Sequence, residues 1–140
     1  MNLDEMILDT MRLTAEQRIE KARSYVINIC NAFAQRGLDQ DALSLRICDF
    51  IRLFVSADRR CSREEYDLIN SIYNFDMPYA EFYEMTNGGA KPDFVERMDG
   101  YIDSLDTELK YQICLFGLCL LVSDDDLSDA EYALLRRLLA

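Results

Sequence analysis

The segments ICDFIRLFVSADRRCSREEYDLINSIY (47–73) and ICLFGLCLLVSDDDLSDAEYALLRRLL (113–139) carry most of the architectural information in this chain. When the sequence is slid 66 residues along itself, Ile47 falls on Ile113 and Tyr73 on Leu139. Eight of the 27 facing positions are then identical: Ile47 with Ile113, Cys48 with Cys114, Phe50 with Phe116, Asp58 with Asp124, Ser62 with Ser128, Glu65 with Glu131, Tyr66 with Tyr132 and Leu68 with Leu134. Chance pairing gives about one identity in twenty positions. Each copy reads as an apolar helix, a short polar turn and a second helix opened by a Ser-x-x-Glu capping box, Ser62 to Glu65 and Ser128 to Glu131. Two helical hairpins of one design predict an all-α fold, a compact helical bundle with the hairpins related by a pseudo-twofold axis.

The flanking sequence is helical too. Only two prolines and five glycines punctuate it, and apolar residues recur at three and four. Leu3 to Leu13 reads as a short amphipathic helix. Thr14 caps the next, with Gln17 completing a capping box, an apolar stripe of Ile19, Ala22, Val26, Ile29, Cys30 and Phe33, and Gly37 as the stop. Asp39 or Asp41 caps a helix to about Ser56 that is apolar around most of its circumference, through Leu43, Leu45, Ile47, Cys48, Phe50, Ile51, Leu53, Phe54 and Val55, and this helix is expected to be central. Asp76 and Pro78 open a short helix closed by Asn87, Gly88 and Gly89, and Pro92 starts another through Phe94, Val95, Met98 and Ile102. The organisation is one domain, 1–140: N-terminal helices over 1–37, the first hairpin over 42–75, connecting helices over 76–105 and the second hairpin over 108–140.

Composition narrows the function. The chain has 140 residues, 50% of them hydrophobic, enough for one sizeable core. Acidic residues number 26 against 15 basic, a formal charge of −11, which argues against nucleic acid or an anionic membrane surface as partner and in favour of cations or basic proteins. With no His, the usual general base and the commonest metal ligand are missing. The five cysteines, Cys30, Cys48, Cys61, Cys114 and Cys119, form no CxxC pair and read as small core hydrophobes of a reducing, cytoplasmic protein. The acidic N-terminus has no secretory pattern, and the apolar run from Ile113 to Val122 is too short to span a bilayer.

Charge is concentrated at the turns. Each places an Asp at the end of one helix and a Glu in the first turn of the next, Asp58 with Glu65 and Asp124 with Glu131. The Glu serves the cap, whereas the Asp meets the negative end of a helix dipole and needs a donor or a cation. The second turn adds Asp125, Asp126 and Asp129. From Asp99 to Glu131 nine acids face the single base Lys110, a local charge of −8 that must be solvated, paired with arginine elsewhere or neutralised by an ion.

The paired turns, VSADRRCSREEYDLI and VSDDDLSDAEYALL, resemble the tellurite-resistance TerB-like family, whose repeated signature is a helix ending in Ala-Asp-Gly followed by Ser or Thr and a Glu-rich helix start. The resemblance covers roughly 42–139. It implies a compact all-helical domain in stress or tellurite-resistance-related processes, with acidic turns that bind a divalent cation, Ca²⁺ or Mg²⁺; the chain's own lack of a catalytic constellation predicts that it is non-enzymatic. The implied ligands are Asp58, Glu65, Asp124 and Glu131, with Asp125 and Asp126 as local additions. Two departures stand out: Arg59 and Arg60 follow Asp58 and supply an internal counter-charge that competes with a metal, and Asp125 occupies the second glycine position.

Other chemistries fit less well. Read as an EF-hand from Asp124, the second turn has Asp129 where glycine is required and Leu135 where the bidentate Glu belongs. A glycosidase-type carboxylate pair assisted by Tyr66 and Tyr132 lacks any accompanying phosphate loop or nucleophile elbow. The competing reading is an acidic interaction module, an adaptor or immunity-type protein that binds a basic partner, with Tyr73, Phe75, Tyr79, Phe82 and Tyr83 either anchoring an interface or filling the core. A cation site predicts that Asp124, Asp126 and Glu131 approach acids of the first turn. A binding face predicts acids spread over an open surface.

Overall fold

The computed structural model describes residues 2–57, 61–72, 77–86 and 91–140. Among the described residues there are eight α-helices and no strand: α1 (Leu3–Met11), α2 (Ala15–Gln35), α3 (Gln40–Val55), α4 (Arg63–Ile72), α5 (Tyr79–Thr86), α6 (Pro92–Asp103), α7 (Thr107–Leu121) and α8 (Asp129–Leu138). The 66-residue offset recurs in the helix boundaries, since α3 and α7 end at Val55 and Leu121, and α4 and α8 run over Arg63–Ile72 and Asp129–Leu138.

Local chemistry accounts for these boundaries. Thr14 Oγ1 accepts from the Gln17 N–H while the Thr14 N–H donates to Gln17 Oε1. The same reciprocal pair forms between Ser62 and Glu65 and between Ser128 and Glu131. Asp39, rather than Asp41, caps α3 by accepting from the Ala42 N–H, and Asp106 caps α7 in the same way through Leu109. At the end of α2, Gly37 N–H bonds Ala34 O and Leu38 N–H bonds Phe33 O, a Schellman closure. That closure requires a left-handed residue at position 37, and Gly37 has φ 91°. Pro92 is the first residue of α6, and α5 begins just after Pro78. Asp76 and the Asn87–Gly89 stop lie outside the described residues.

The buried side chains form one core cluster. Its axis is α7, which packs on α1, α2, α3, α4 and α8 and buries nine residues from Leu109 to Leu121. The sequence assigned the central place to α3; α3 instead buries side chains only along its C-terminal half, from Ile47 to Val55, and leaves Leu45 69% exposed. The contact between α3 and α7 depends on Gly117, because a Cβ there would lie 2.3 Å from the buried Phe54 ring. The copies also differ in their packing: α8 sits on α7, whereas α4 packs on α2, α5 and α7 more than on α3.

Candidate functional site

The second acidic turn follows the C-terminus of α7, and its charge is answered from α2. Arg18 is buried, with only 4% of its surface exposed. Its Nε donates to Thr10 O at 3.1 Å, Nη2 to Met11 O at 2.9 Å and Nη1 to Val122 O at 2.9 Å, so one guanidinium satisfies carbonyls at the ends of both α1 and α7. Nη1 also lies 2.9 Å from Asp125 Oδ1. Asp125 has φ 61°, the left-handed conformation that a glycine adopts freely. Arginine pairing is thus the answer for Asp125 among the three that the charge count allowed. Arg18 itself was missed, although it falls on the buried stripe of α2 with Ala22, Ile29 and Phe33, where a hydrophobe is the ordinary occupant.

The other candidate ligands separate. Glu65 and Glu131 are buried, each with Oε1 accepting the N–H of its own cap serine, at 3.1 Å from Ser62 and 2.8 Å from Ser128. Asp124 and Asp126 stay on the exposed turn, where Asp124 Oδ1 accepts the Asp126 N–H at 3.2 Å and Asp126 Oδ1 the Leu127 N–H at 2.9 Å. The Asp124 carboxyl is held above its usual range, first by desolvation and then by the neighbouring Asp126 and Glu64 carboxylates, against the lowering effect of backbone hydrogen bonds. Among the described residues of the first copy, Glu64, which was not among the candidates, adds to this rise. Asp58, Arg59 and Arg60 lie outside the described residues. Among the described residues no group of three or more Asp, Glu or Cys side chains is arranged to hold a metal ion.

The remaining acids of the Asp99–Glu131 segment are largely engaged. Asp99 pairs with Arg137 at 2.6 Å, Asp103 with Lys110 at 3.4 Å, and Asp106 with Arg36 while capping α7. The repeat tyrosines have diverged: Tyr66 donates to Met77 O, and Tyr132 donates to Asp4 Oδ1 at 3.1 Å. Phe82 is buried, and Tyr66, Tyr79 and Phe82 form a ring cluster, so these aromatics fill the core as the second alternative held. Tyr83 borders that cluster and is partly exposed; Tyr73 and Phe75 lie outside the described residues.

Burial raises the Cys30, Cys48, Cys114 and Cys119 thiols, the last two most. Burial pushes the Cys114 and Cys119 thiols from 9.0 up to about 12, with only partial relief from Lys110 for the former and from Arg18 and Lys21 for the latter. Among the described residues, two of the cavities lie along α2. One, of about 630 Å³, is lined by amides including Asn28, Asn31, Gln35 and Gln112. The other, of about 200 Å³, lies between α2, α4 and the end of α7. Among the described residues no helix is long and apolar enough to cross a membrane. Comparison with known proteins finds no matching family model, no matching curated protein and no matching solved structure.

Proposed function

We propose that the chain is a non-enzymatic TerB-like helical module whose acidic surface binds a basic protein partner. The observation that carries this reading is the dispersal of the candidate ligands: Glu65 and Glu131 turn onto their own caps and Asp125 onto Arg18, while Asp124, Asp126, Asp129 and Glu64 stay on the open surface. A hard cation needs several oxygens converging on one point, whereas a basic protein is steered by spread negative charge. The TerB-like part, with its two pseudo-twofold-related hairpins, is supported by the recurrence of helix boundaries and capping boxes at 66 residues. The left-handed backbone at Asp125, where the family signature has glycine, supports it further.

The test is affinity capture with the purified chain at low salt, beside a bait carrying Glu64→Gln, Asp124→Asn, Asp126→Asn and Asp129→Asn, followed by direct titration of the captured protein. A basic protein that binds saturably, weakens as salt rises and is lost with the neutralised bait is the expected result. Binding that is indifferent to salt and to the substitutions sinks the reading. A parallel melt of chelator-stripped protein with Ca²⁺ or Mg²⁺ separates the alternatives, since a rise abolished by Asp124→Asn with Asp126→Asn would restore the cation site.

A further inference from the structure

We propose that the arginine-bearing face between α3 and α6 is a docking surface for an acidic, amphipathic peptide segment, with Arg52 and Arg97 receiving its carboxylates and Leu45 its apolar side chain. The inference goes beyond the basic-partner reading, because it concerns another face, the opposite charge and other residues. α6 presents two rings toward α3, and three guanidiniums sit over them. Arg46 lies over Tyr101 at 4.0 Å, Arg52 over Phe94 at 4.4 Å, and Arg97, one turn on from Phe94, over the same ring at 6.0 Å. The core fixes these rings, since Phe94 is buried and Tyr101 stacks on Phe33 at 6.4 Å. A guanidinium over a ring is attracted to its face and keeps its N–H donors at the rim, where they still fork onto a carboxylate.

Arg18, Arg36, Arg63, Lys110 and Arg137 each hold a carboxylate. The bases of this face are held by rings instead. Among the described residues neither Arg52 nor Arg97 pairs with an acid, although 26 acids outnumber 15 bases and Asp93 stands one turn before Arg97; Arg46 has only Asp49 at 3.8 Å. Arg97 is exposed and Arg52 half-buried, so their donors are both oriented and accessible, and little side-chain freedom is lost when a carboxylate arrives. The second observation is apolar. Leu45, 69% exposed, is the most exposed large hydrophobe among the described residues, and it shares one face of α3 with Asp49 and Arg52 at i, i+4 and i+7. A phosphate chain gains nothing from that leucine, whereas a peptide carrying both Glu and Leu covers it while engaging the arginines. The net charge of −11 opposes an acidic ligand only at long range, since at physiological ionic strength charges are screened beyond about 8 Å.

Amide-resolved NMR titration of the intact chain with the blocked peptide acetyl-Glu-Glu-Leu-Glu-Glu-Leu-amide tests this, beside the same peptide with Gln for Glu, the same with Ser for Leu, and a deoxythymidine hexamer. The expected result is saturable binding of the first peptide with shifts confined to 42–53 and 91–101, none with the Gln peptide, and an affinity about tenfold lower in an Arg52→Gln, Arg97→Gln variant. The Ser peptide and a Leu45→Ser variant should each bind several-fold more weakly, while Arg12→Gln with Arg136→Gln, which removes two exposed bases elsewhere, should leave the affinity unchanged. Because Leu45 is exposed, Leu45→Ser retains the fold whether or not the arginine variant does. Equal shifts with the Gln peptide, an affinity indifferent to Leu45→Ser or to the Arg52 and Arg97 substitutions, or an equal loss in the Arg12 and Arg136 variant would each overturn the docking surface. Tighter binding of the thymidine hexamer would make the face a phosphate surface and sink the peptide. The bait carrying Glu64→Gln, Asp124→Asn, Asp126→Asn and Asp129→Asn should bind the acidic peptide at least as tightly as the wild type, so failure here and failure of the basic-partner reading are told apart.

Discussion

Arg18 joins three parts of the chain through one buried group, so its removal should be far more costly than the removal of the acid it meets. Replacing Arg18 by Met removes a donor from the carbonyls of Thr10, Met11 and Val122, leaving Thr10 O and Val122 O with their backbone donors Leu13 N–H and Asp125 N–H, and about 3 kcal/mol of stability should be lost in urea unfolding. Asp125→Asn removes only the outer half of the pair, whose carboxylate side is 80% exposed, and should cost less than about 1 kcal/mol. Equal losses in the two variants would mean that the ion pair, and not the carbonyl capping, holds the turn. Asp124 gives the opposite sign. Its carboxyl binds a proton more tightly in the folded chain than in the unfolded one, so ionisation opposes folding and stability drains as pH rises from 3.8 through the raised value. Asp124→Asn should therefore match or exceed the wild type at neutral pH and lose that advantage in acid, as read from melting temperature against pH.

The capping boxes repeat and so should their energetics. Ser62→Ala and Ser128→Ala each remove one acceptor at a helix N-terminus, and each should lower stability by about 1 kcal/mol. A much larger loss at one site would show that its buried Glu, and not the serine, anchors the turn. The helix contact at Gly117 is not repeated, because Ile51 occupies the matching place in α3. An alanine there gains up to about 1 kcal/mol of helix propensity but drives a methyl into the Phe54 ring. Since that ring is fully buried, overpacking of about 1–3 kcal/mol should prevail and the melting temperature should fall. A rise in melting temperature would mean that Phe54 has room to move.

One core holds the eight described helices, and the thiols report on it. Cys114 and Cys119 stay protonated to about pH 12 in the folded chain, whereas in the unfolded chain they ionise near 9.0. Folding therefore withholds a proton that the unfolded chain releases, and stability should fall as pH climbs between those values. Cys114→Ala with Cys119→Ala should flatten this alkaline decline while weakening the core at neutral pH, a contrast that denaturant titrations at several pH values would measure. In the native state, alkylating reagents should reach the half-buried Cys30 and Cys48 well before the buried Cys61, Cys114 and Cys119. Uniform labelling of all five would show that the core opens as a unit on the timescale of the reaction.

Helix class, the capping boxes, the Gly37 stop and the duplicated design of 47–73 and 113–139 were legible because each depends on contacts within a few residues, which sequence spacing encodes directly. The acids of the second turn were legible as a charge that needed an answer, but not the identity of that answer. Arg18 and Val122 are 104 residues apart, and only packing of α2 along α7 brings the guanidinium to the turn. The same holds for α7 rather than α3 as the axis, and for the close approach of Phe54 that leaves no room for a Cβ at Gly117. Local hydrogen bonding and apolar periodicity determined the elements. The relative placement of helices, which sets charge pairing and burial between distant positions, was decided by the tertiary structure, because those energies depend on distance in space and not along the chain.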